Sequence, residues 1–463
     1  MVTERWTGRQ RAVLLVTCLG QFVTQLDLTV VNVAVGGVRA DLGASTTMLT
    51  WVIDGYLVTF AAFMLGLGDV GDLVGRRRVF LIGLTLFTAI SVGCAVAPNV
   101  GALVAARAAQ GVAGAAVLVS SLAILVHSFD GRERTRAIGW WASVAGVALI
   151  IGPVLGGVLV DALGWRWVFW INLPVGVAGV VAGLCTLEES RGATVRRMDW
   201  PGQVLAVCAL GTLAFGLQTV AGNAWLGWPV LGAGLLLAAG FIAAERRSGA
   251  PLVPLDVMRS RTFGGANAAA LLLNLGTLGL LFLLSLYFEQ VRHGGAAGTG
   301  GRIAPLFAAY VVVSPWAGRV TKRWGAPRPA GAGAAVAGLA ALAVPGLFGS
   351  PGWIAMALAL CGAGVGLAMP ALVSVAVGAV PVERSGLASG LNNTARQVGN
   401  TLGVALLGGV VAAAGTSRAG IRAGLVVVAV SFLLAAALVA ATLSESPGLG
   451  GLWSRRRFGR PEG

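Results

Sequence analysis

The sequence predicts an all-α integral membrane protein of 14 transmembrane helices, and three observations carry that fold class. Only 11% of its 463 residues are charged while 57% are hydrophobic, against about 25% charge in an ordinary soluble domain. Apolar runs of about 20 residues, each long enough to cross the hydrocarbon core, recur fourteen times with short connections. Basic residues then gather in alternate connections, as the positive-inside rule requires. The 70 glycines would weaken helices in water, but small residues let membrane helices approach closely.

The runs lie near 12–35, 50–71, 78–97, 101–127, 136–160, 166–187, 201–221, 226–245, 263–288, 302–320, 329–348, 352–380, 386–414 and 421–443. With both termini cytoplasmic, the inner segments hold twenty-five of the 33 Lys and Arg residues, among them Arg76, Arg77 and Arg78. The outer loops hold six: Arg39, Arg166, Arg292, Arg302, Arg418 and Arg422. Arg107 and Arg396 fall inside runs. The first run follows basic residues as a signal peptide does, but no small-residue cleavage site ends it, so it reads as a retained helix.

Several function classes drop out. The net charge of +15 punctuates apolar runs rather than coating one domain, so the partner it implies is the lipid bilayer and not nucleic acid. Cys18, Cys94, Cys185, Cys208 and Cys361 lie in apolar runs without a CxxC pattern, and His127 and His293 are too far apart to suggest a metal site. No GxxxxGK[ST] motif occurs, so no nucleotide powers this chain. Nor is there a nucleophile–base constellation, and the chain does not read as an enzyme.

An internal repeat divides the runs. "GDVGDLVGRRR" from Gly68 follows the second run, and "GRVTKRWGAPR" from Gly318 follows the tenth, 250 residues later. "ERTR" at Glu133 and "ERSG" at Glu383 share that offset. The expected organisation is a six-helix bundle over 1–190, a two-helix insertion over 191–262, and a second six-helix bundle with a basic cytoplasmic tail over 263–463. Duplicated halves with a binding site at their interface are a transporter design.

Polar residues inside the runs are the candidate site. A carboxylate at mid-membrane costs at least about 2.5–3.5 kcal/mol on insertion scales and marks function by default, and Asp27 sits inside the first run. At 100° per residue, Gln21, Gln25, Thr29 and Asn32 form one stripe of that helix and Asp27 lies off it, so the helix is polar on two sides and should line a cavity. At ~1.5 Å per residue, Asp27, Asp54 and Arg107 lie roughly 6–12 Å below the outer surface. Burial or a second carboxylate would bring an acid toward the working pH range, and Arg107 would oppose that shift. The trio reads either as a proton-coupling site or as a buried ion pair holding helices together. Glu289 reads as an interfacial acid, and Arg396 as a paired or cavity-facing base.

At these residues the sequence resembles the major facilitator superfamily, in its fourteen-helix drug:proton antiporter branch. "GDVGDLVGRRR" is similar to the loop signature after helix 2, "RAAQG" from Arg107 to that of helix 4, and "GPVLGG" at 152–157 to the antiporter signature of helix 5. "LDLTVVNVAV" at 26–35, "GWRWVFWINLP" at 164–174 and "RQVGNTLG" at 396–403 resemble further stretches of the branch. The departures are Gly36 for a usual proline, Leu73 for a usual basic residue, an added Asp69, and Lys322 where the second half would match Asp72.

The resemblance implies the major facilitator fold and export of an amphipathic drug or antibiotic from a bacterial cell, through the inner membrane, by a monomer exchanging substrate for protons. A proton symporter or facilitator of a metabolite on the same fold is the alternative. Gln21, Gln25 and Asn32 would line the substrate cavity. Gly68, Asp72, Gly75 and Arg76 would gate, with Asp72 capping the start of the thirteenth helix near Arg384; the lesser alternative is an acid that merely balances Arg76–Arg78. Gly152, Pro153, Gly156 and Gly157 read as a hinge and proton seal, or as ordinary small-residue packing. No cofactor is expected, since the proton gradient suffices: one charge across 100 mV gives ~2.3 kcal/mol and one pH unit ~1.4, enough for roughly a 500-fold solute gradient.

Overall fold

The computed structural model describes residues 6–191, 199–220, 222–249, 251–253, 255–291, 295–347, 350–380, 384–414 and 417–443. Arg5, Arg196, Arg197, Arg292, His293, Glu383 and the basic tail lie outside them. Among the described residues there is no strand, and 14 helices are long and apolar enough to cross a membrane. In chain order these are α1 (Gly8–Leu42), α2 (Thr46–Val74), α3 (Arg76–Ala95), α4 (Val100–Ser128), α5 (Gly131–Leu163), α6 (Trp167–Thr186), α7 (Trp200–Val220) and α8 (Ala224–Arg247). Then follow α9 (Arg261–Leu286), α10 (Gly295–Trp324), α11 (Pro327–Ala343), α12 (Pro351–Gly378), α13 (Ser385–Ala414) and α14 (Arg418–Leu443).

Local chemistry explains the helix ends. Thr7 and Gln10 form a capping box at the start of α1, each satisfying a backbone group the helix leaves open. Ser45 and Asn99 cap α2 and α4 through their side-chain oxygens. The first helix is longer than the apolar run 12–35. It tightens into a 3-10 turn over Val31–Ala34 and resumes through "VGGVRADL" until Gly43 stops it at φ 62°. Hydropathy misses this end because its residues are small or charged, not because they break the helix. The tenth helix likewise starts at Gly295, ahead of the expected 302.

The packing repeats. In the first half α2 packs on α4, α1 on α5, α3 on α4 and α6; in the second α10 packs on α12, α9 on α13, α11 on α12 and α14. Each pair recurs eight helices later. The repeat reaches the backbone: Gly75 between α2 and α3 and Gly325 between α10 and α11 both have positive φ, 124° and 78°. The halves meet where α5 packs on α10 and α2 on α13, and α7 packs on both α2 and α13, with α8 outside it. Trp225 and Trp228 on α8 are exposed, as suits an aromatic belt at a membrane boundary. Below, the "terminal face" is the end carrying the start of α1, and the "far face" carries the α1–α2 turn.

Candidate functional site

The centre of the first half is an ion pair. Asp27 on α1 and Arg107 on α4 are bonded to each other, at 0% and 1% side-chain exposure. Arg107 is fixed by more than Asp27. Its Nε donates to the Val52 carbonyl at 3.1 Å and its guanidinium to Gln110 Oε1 at 2.7 Å. The cation also lies 4.4 Å from the centre of the Tyr56 ring, a favourable contact once water is excluded. Asp27 has a second neighbour, the amide of Asn172 on α6, which donates to Oδ1 at 3.3 Å and to Ser91 Oγ at 3.0 Å. The Asn172 Oδ1 atom and the Gln110 Nε2 atom are buried without a partner among the described residues.

This arrangement can report a proton. A carboxylate accepts from Arg107 and Asn172; a carboxylic acid needs an acceptor, and the bare oxygen on Asn172 is one. Asp27 and Arg107, expected at a shared depth, are bonded to each other. Asn172, Gln110 and Tyr56 were not singled out, although Asn172 lies in the quoted "GWRWVFWINLP" and Gln110 in "RAAQG". A polar residue inside an apolar run was the available signal.

Asp54 does not join this pair. It is two residues from Tyr56, which turns it about 200° away around α2. Its Oδ2 accepts from Gln218 Nε2 on α7 at 2.6 Å. A shared depth left the direction open, and the second carboxyl faces the insertion instead.

The polar stripe of α1 also has an unexpected neighbour. A side chain at Gly152 would collide with Thr29, and one at Gly156 would meet Val30 and Val33 at 2.7 Å. Thr29 of the stripe therefore packs on Gly152, and the adjoining Val30 and Val33 pack on Gly156. Gln21 is buried, Gln25 half-buried, and Asn32 donates to the Leu28 carbonyl of its own helix at 2.9 Å. Gly157 faces the other way, where a Cβ would collide with the Ala296 carbonyl of α10, and a Cβ on Gly300 would collide with the Pro153 carbonyl. Asp161 closes the same end by accepting from the Ala296 and Ala297 N–H groups at 3.0 and 2.9 Å. Helix α5 is thus wedged between α1 of its own half and α10 of the other, with the halves in backbone contact near the far face.

A second contact there involves Glu289 in the π-helical turn Tyr287–Val291. Glu289 accepts from the Gly36 N–H, and a Cβ on Gly36 would collide with its carboxylate. Proline at 36 would lack both that donor and the space.

At the terminal face, Asp72 accepts from Arg76 at 2.8 Å. The partner the described residues give Asp72 is thus Arg76, while residues 381–383 just ahead of α13 lie outside the described residues. Gly75 turns the chain at positive φ, Gly68 packs on Val119, and the turn is clamped by the end of α6. Ser190 O accepts from the Arg76 N–H at 2.9 Å and Glu189 from the Arg77 N–H at 3.0 Å.

A cleft of about 50 Å³ lies in the second half, lined by Asn274, Thr277, Tyr310, Arg396 and Phe432 and by Leu149 of α5. Arg396 Nε has no partner there among the described residues. Gln21, Gln25 and Asn32 are not among the residues that line this cleft. Arg396 faces the cavity, as one of its two expected placements had it.

Comparison with known proteins fits this architecture. The chain is 37% identical over 414 residues to the multidrug resistance protein Stp of Mycobacterium tuberculosis, covering 87% of this chain and 76% of that protein. It is 32% identical over 451 residues to the methylenomycin A resistance protein of Streptomyces coelicolor, covering 96% and 91%. The tetracenomycin C resistance and export protein of Streptomyces glaucescens is 33% identical, with coverage of 87% and 76%. Among solved structures, the POT family transporter PepTSo superposes with a TM-score of 0.72 at 15% identity, covering 95% of this chain and 98% of that one. A bacterial homolog of the lysosomal transporter Spinster gives 0.67 at 16%, covering 96% and 100%. The profile of the Major Facilitator Superfamily matches residues 17–404, and this multi-pass membrane protein belongs to that family of transporters.

Proposed function

We propose that the protein is a proton-coupled antiporter that exports an amphipathic drug or antibiotic across a bacterial inner membrane, acting as a monomer with both termini in the cytoplasm. Three of its relatives are named for drug or antibiotic resistance, which supports the substrate class. The observation that carries the coupling is the buried Asp27–Arg107 pair with its half-satisfied Asn172 amide. Arg107 keeps the Val52 carbonyl, Gln110 and Tyr56 when Asp27 takes a proton, so the cation stays in place while the acid is released from it. Loss of that bond frees α1 to shift against α4, which links protonation to movement of the half. Asp54 is the second acid of the scheme.

With α5 and α10 joined at the far face, the substrate path is read as closed to the outside. Gly152, Pro153, Gly156 and Gly157 then act as hinge and seal, and Gly68, Asp72, Gly75 and Arg76 as the turn that moves at the cytoplasmic face. Substrate is placed in the cleft beside Arg396 and Leu149, the place where lining side chains from both halves meet.

The test is substrate-triggered proton release from proteoliposomes. Wild type should release protons when substrate is added and Asp27→Asn should not. An unchanged signal in Asp27→Asn removes Asp27 from the mechanism, and uptake of protons with substrate in wild type replaces export by symport.

A further inference from the structure

The insertion formed by α7 and α8 has no counterpart in the repeat, yet it reaches a buried acid. Asp54 and Gln218 are 0% and 3% exposed and share one hydrogen bond, from Gln218 Nε2 to Asp54 Oδ2 at 2.6 Å. The two remaining oxygens, Asp54 Oδ1 and Gln218 Oε1, are both buried without a partner among the described residues. Two bare acceptors on one pair of groups are costly, because each has lost water and gained nothing. A single proton removes both defects. A carboxylic acid and a primary amide bond at two points, the amide N–H to one carboxyl oxygen and the carboxyl O–H to the amide oxygen.

The surroundings favour that neutral form. Helix α7 carries no charged residue between Trp200 and Val220. On α13 the one charged residue is Arg396, which lines the cleft of the second half. On α4, Arg107 is bonded to Asp27, and His127 lies in the last turn at the terminal face. On α2 itself, Asp69 and Asp72 lie four to five turns away toward that face. A charged Asp54 would thus sit in apolar surroundings with no cation beside it, at a steep desolvation cost.

We propose that Gln218 completes a second proton-binding site with Asp54, so that the insertion supplies half of a titrating acid–amide pair. This rests on the reading of Asp54 as a proton-carrying residue and adds the partner that makes it one. The position gives the pair leverage. A Cβ on Gly409 of α13 would collide with the Leu217 carbonyl, and one on Gly408 would meet Thr50 of α2 at 2.6 Å. The pair therefore sits where α2, α7 and α13 come together near the far face. Loss of the proton leaves two facing acceptors and one fewer hydrogen bond at that junction, which loosens the insertion from the first half.

Infrared difference spectroscopy on the full-length protein in lipid, titrated with pH and without substrate, tests this. A protonated-carboxyl band should appear in wild type, vanish in Asp54→Asn and persist in Asp27→Asn. In Gln218→Leu it should shift in frequency and titrate at a different pH. Asparagine preserves the two-point pairing with Gln218, so Asp54→Asn should keep wild-type thermal stability. A spectrum unchanged by Asp54→Asn overturns the site, and a band unmoved by Gln218→Leu overturns the partnership. Should the band behave as expected while wild type releases no protons on substrate addition, the acid–amide pair stands and the antiport reading falls. The opposite pattern leaves antiport intact and removes this pair.

Discussion

Asp27 and Arg107 are bonded in a site closed to water, but only Arg107 is anchored independently, through Val52, Gln110 and Tyr56. The two members of the pair are therefore unequal. Removing the acid leaves a cation with two hydrogen bonds and an aromatic face, whereas removing the cation leaves an acid with only the long Asn172 contact. Arg107→Ala is expected to destabilise the protein by about 3–5 kcal/mol, the usual cost of stranding a buried charge. Asp27→Asn should cost clearly less. Thermal unfolding of the two variants in detergent checks the order, and restored stability in the double variant Asp27→Asn/Arg107→Ala would show that the stranded acid is the cause.

Gly157 predicts the behaviour of the far face. A side chain there strikes the main chain of α10, which cannot rotate away as a side-chain tip does. Gly157→Val should separate α5 from α10 and raise the rate at which a cysteine placed at Ala297 is labelled, severalfold over the same cysteine with Gly157 intact. Equal labelling would mean that the contact does not close this end.

Gly75 and Gly325 are matched by the repeat but differ in surroundings. Both have positive φ, a sparsely populated region that costs a residue with a Cβ on the order of 1–3 kcal/mol. At Gly75 a Cβ would also lie 2.5 Å from the Glu189 carboxylate, while at Gly325 its nearest neighbour is Pro327 Cδ at 3.8 Å. Gly75→Ala should therefore lower the melting temperature more than Gly325→Ala. Adding Glu189→Ala should recover part of the difference.

Asp256 before α9 pairs with Arg384 before α13 at 2.7 Å, and that hydrogen bond holds the Asp256 carboxyl below its ordinary value of 3.8. A lowered carboxylate pKa adds stability above the unfolded-state value and loses it as pH falls through the folded-state one. The stability difference between wild type and Asp256→Asn should thus be present at pH 7, start to fade near pH 4 and be lost as the pH falls further. Both side chains are more than half exposed, so the effect should stay under about 1 kcal/mol. Melting curves at the two pH values measure it.

How much of this was readable beforehand follows from what a hydropathy pattern contains. It records depth along each helix, so fourteen spans and the shared level of Asp27 and Arg107 were legible. It does not record direction around the helix relative to neighbours. That is why a shared depth groups Asp54 with the pair although it bonds Gln218 of α7. A wheel shows that α1 has two polar sides without showing which one meets protein. Gly36 and Glu289 are a third case: a missing proline and an interfacial acid, 253 positions apart, prove to be one contact.

Where Gly157 and Gly300 meet the opposite helix in the far-face seam between α5 and α10, their neighbours are main-chain atoms of Ala296, Ala297, Pro153 and Val154, with Asp161 as the clasp. Glycine and alanine have no rotamers to freeze when surfaces come together. Shutting this end therefore carries almost no side-chain ordering penalty, and parting it liberates almost none. On the antiport reading, a gate of that composition would be close to entropically neutral, and the balance between its open and shut forms would be left to whatever binds elsewhere in the molecule.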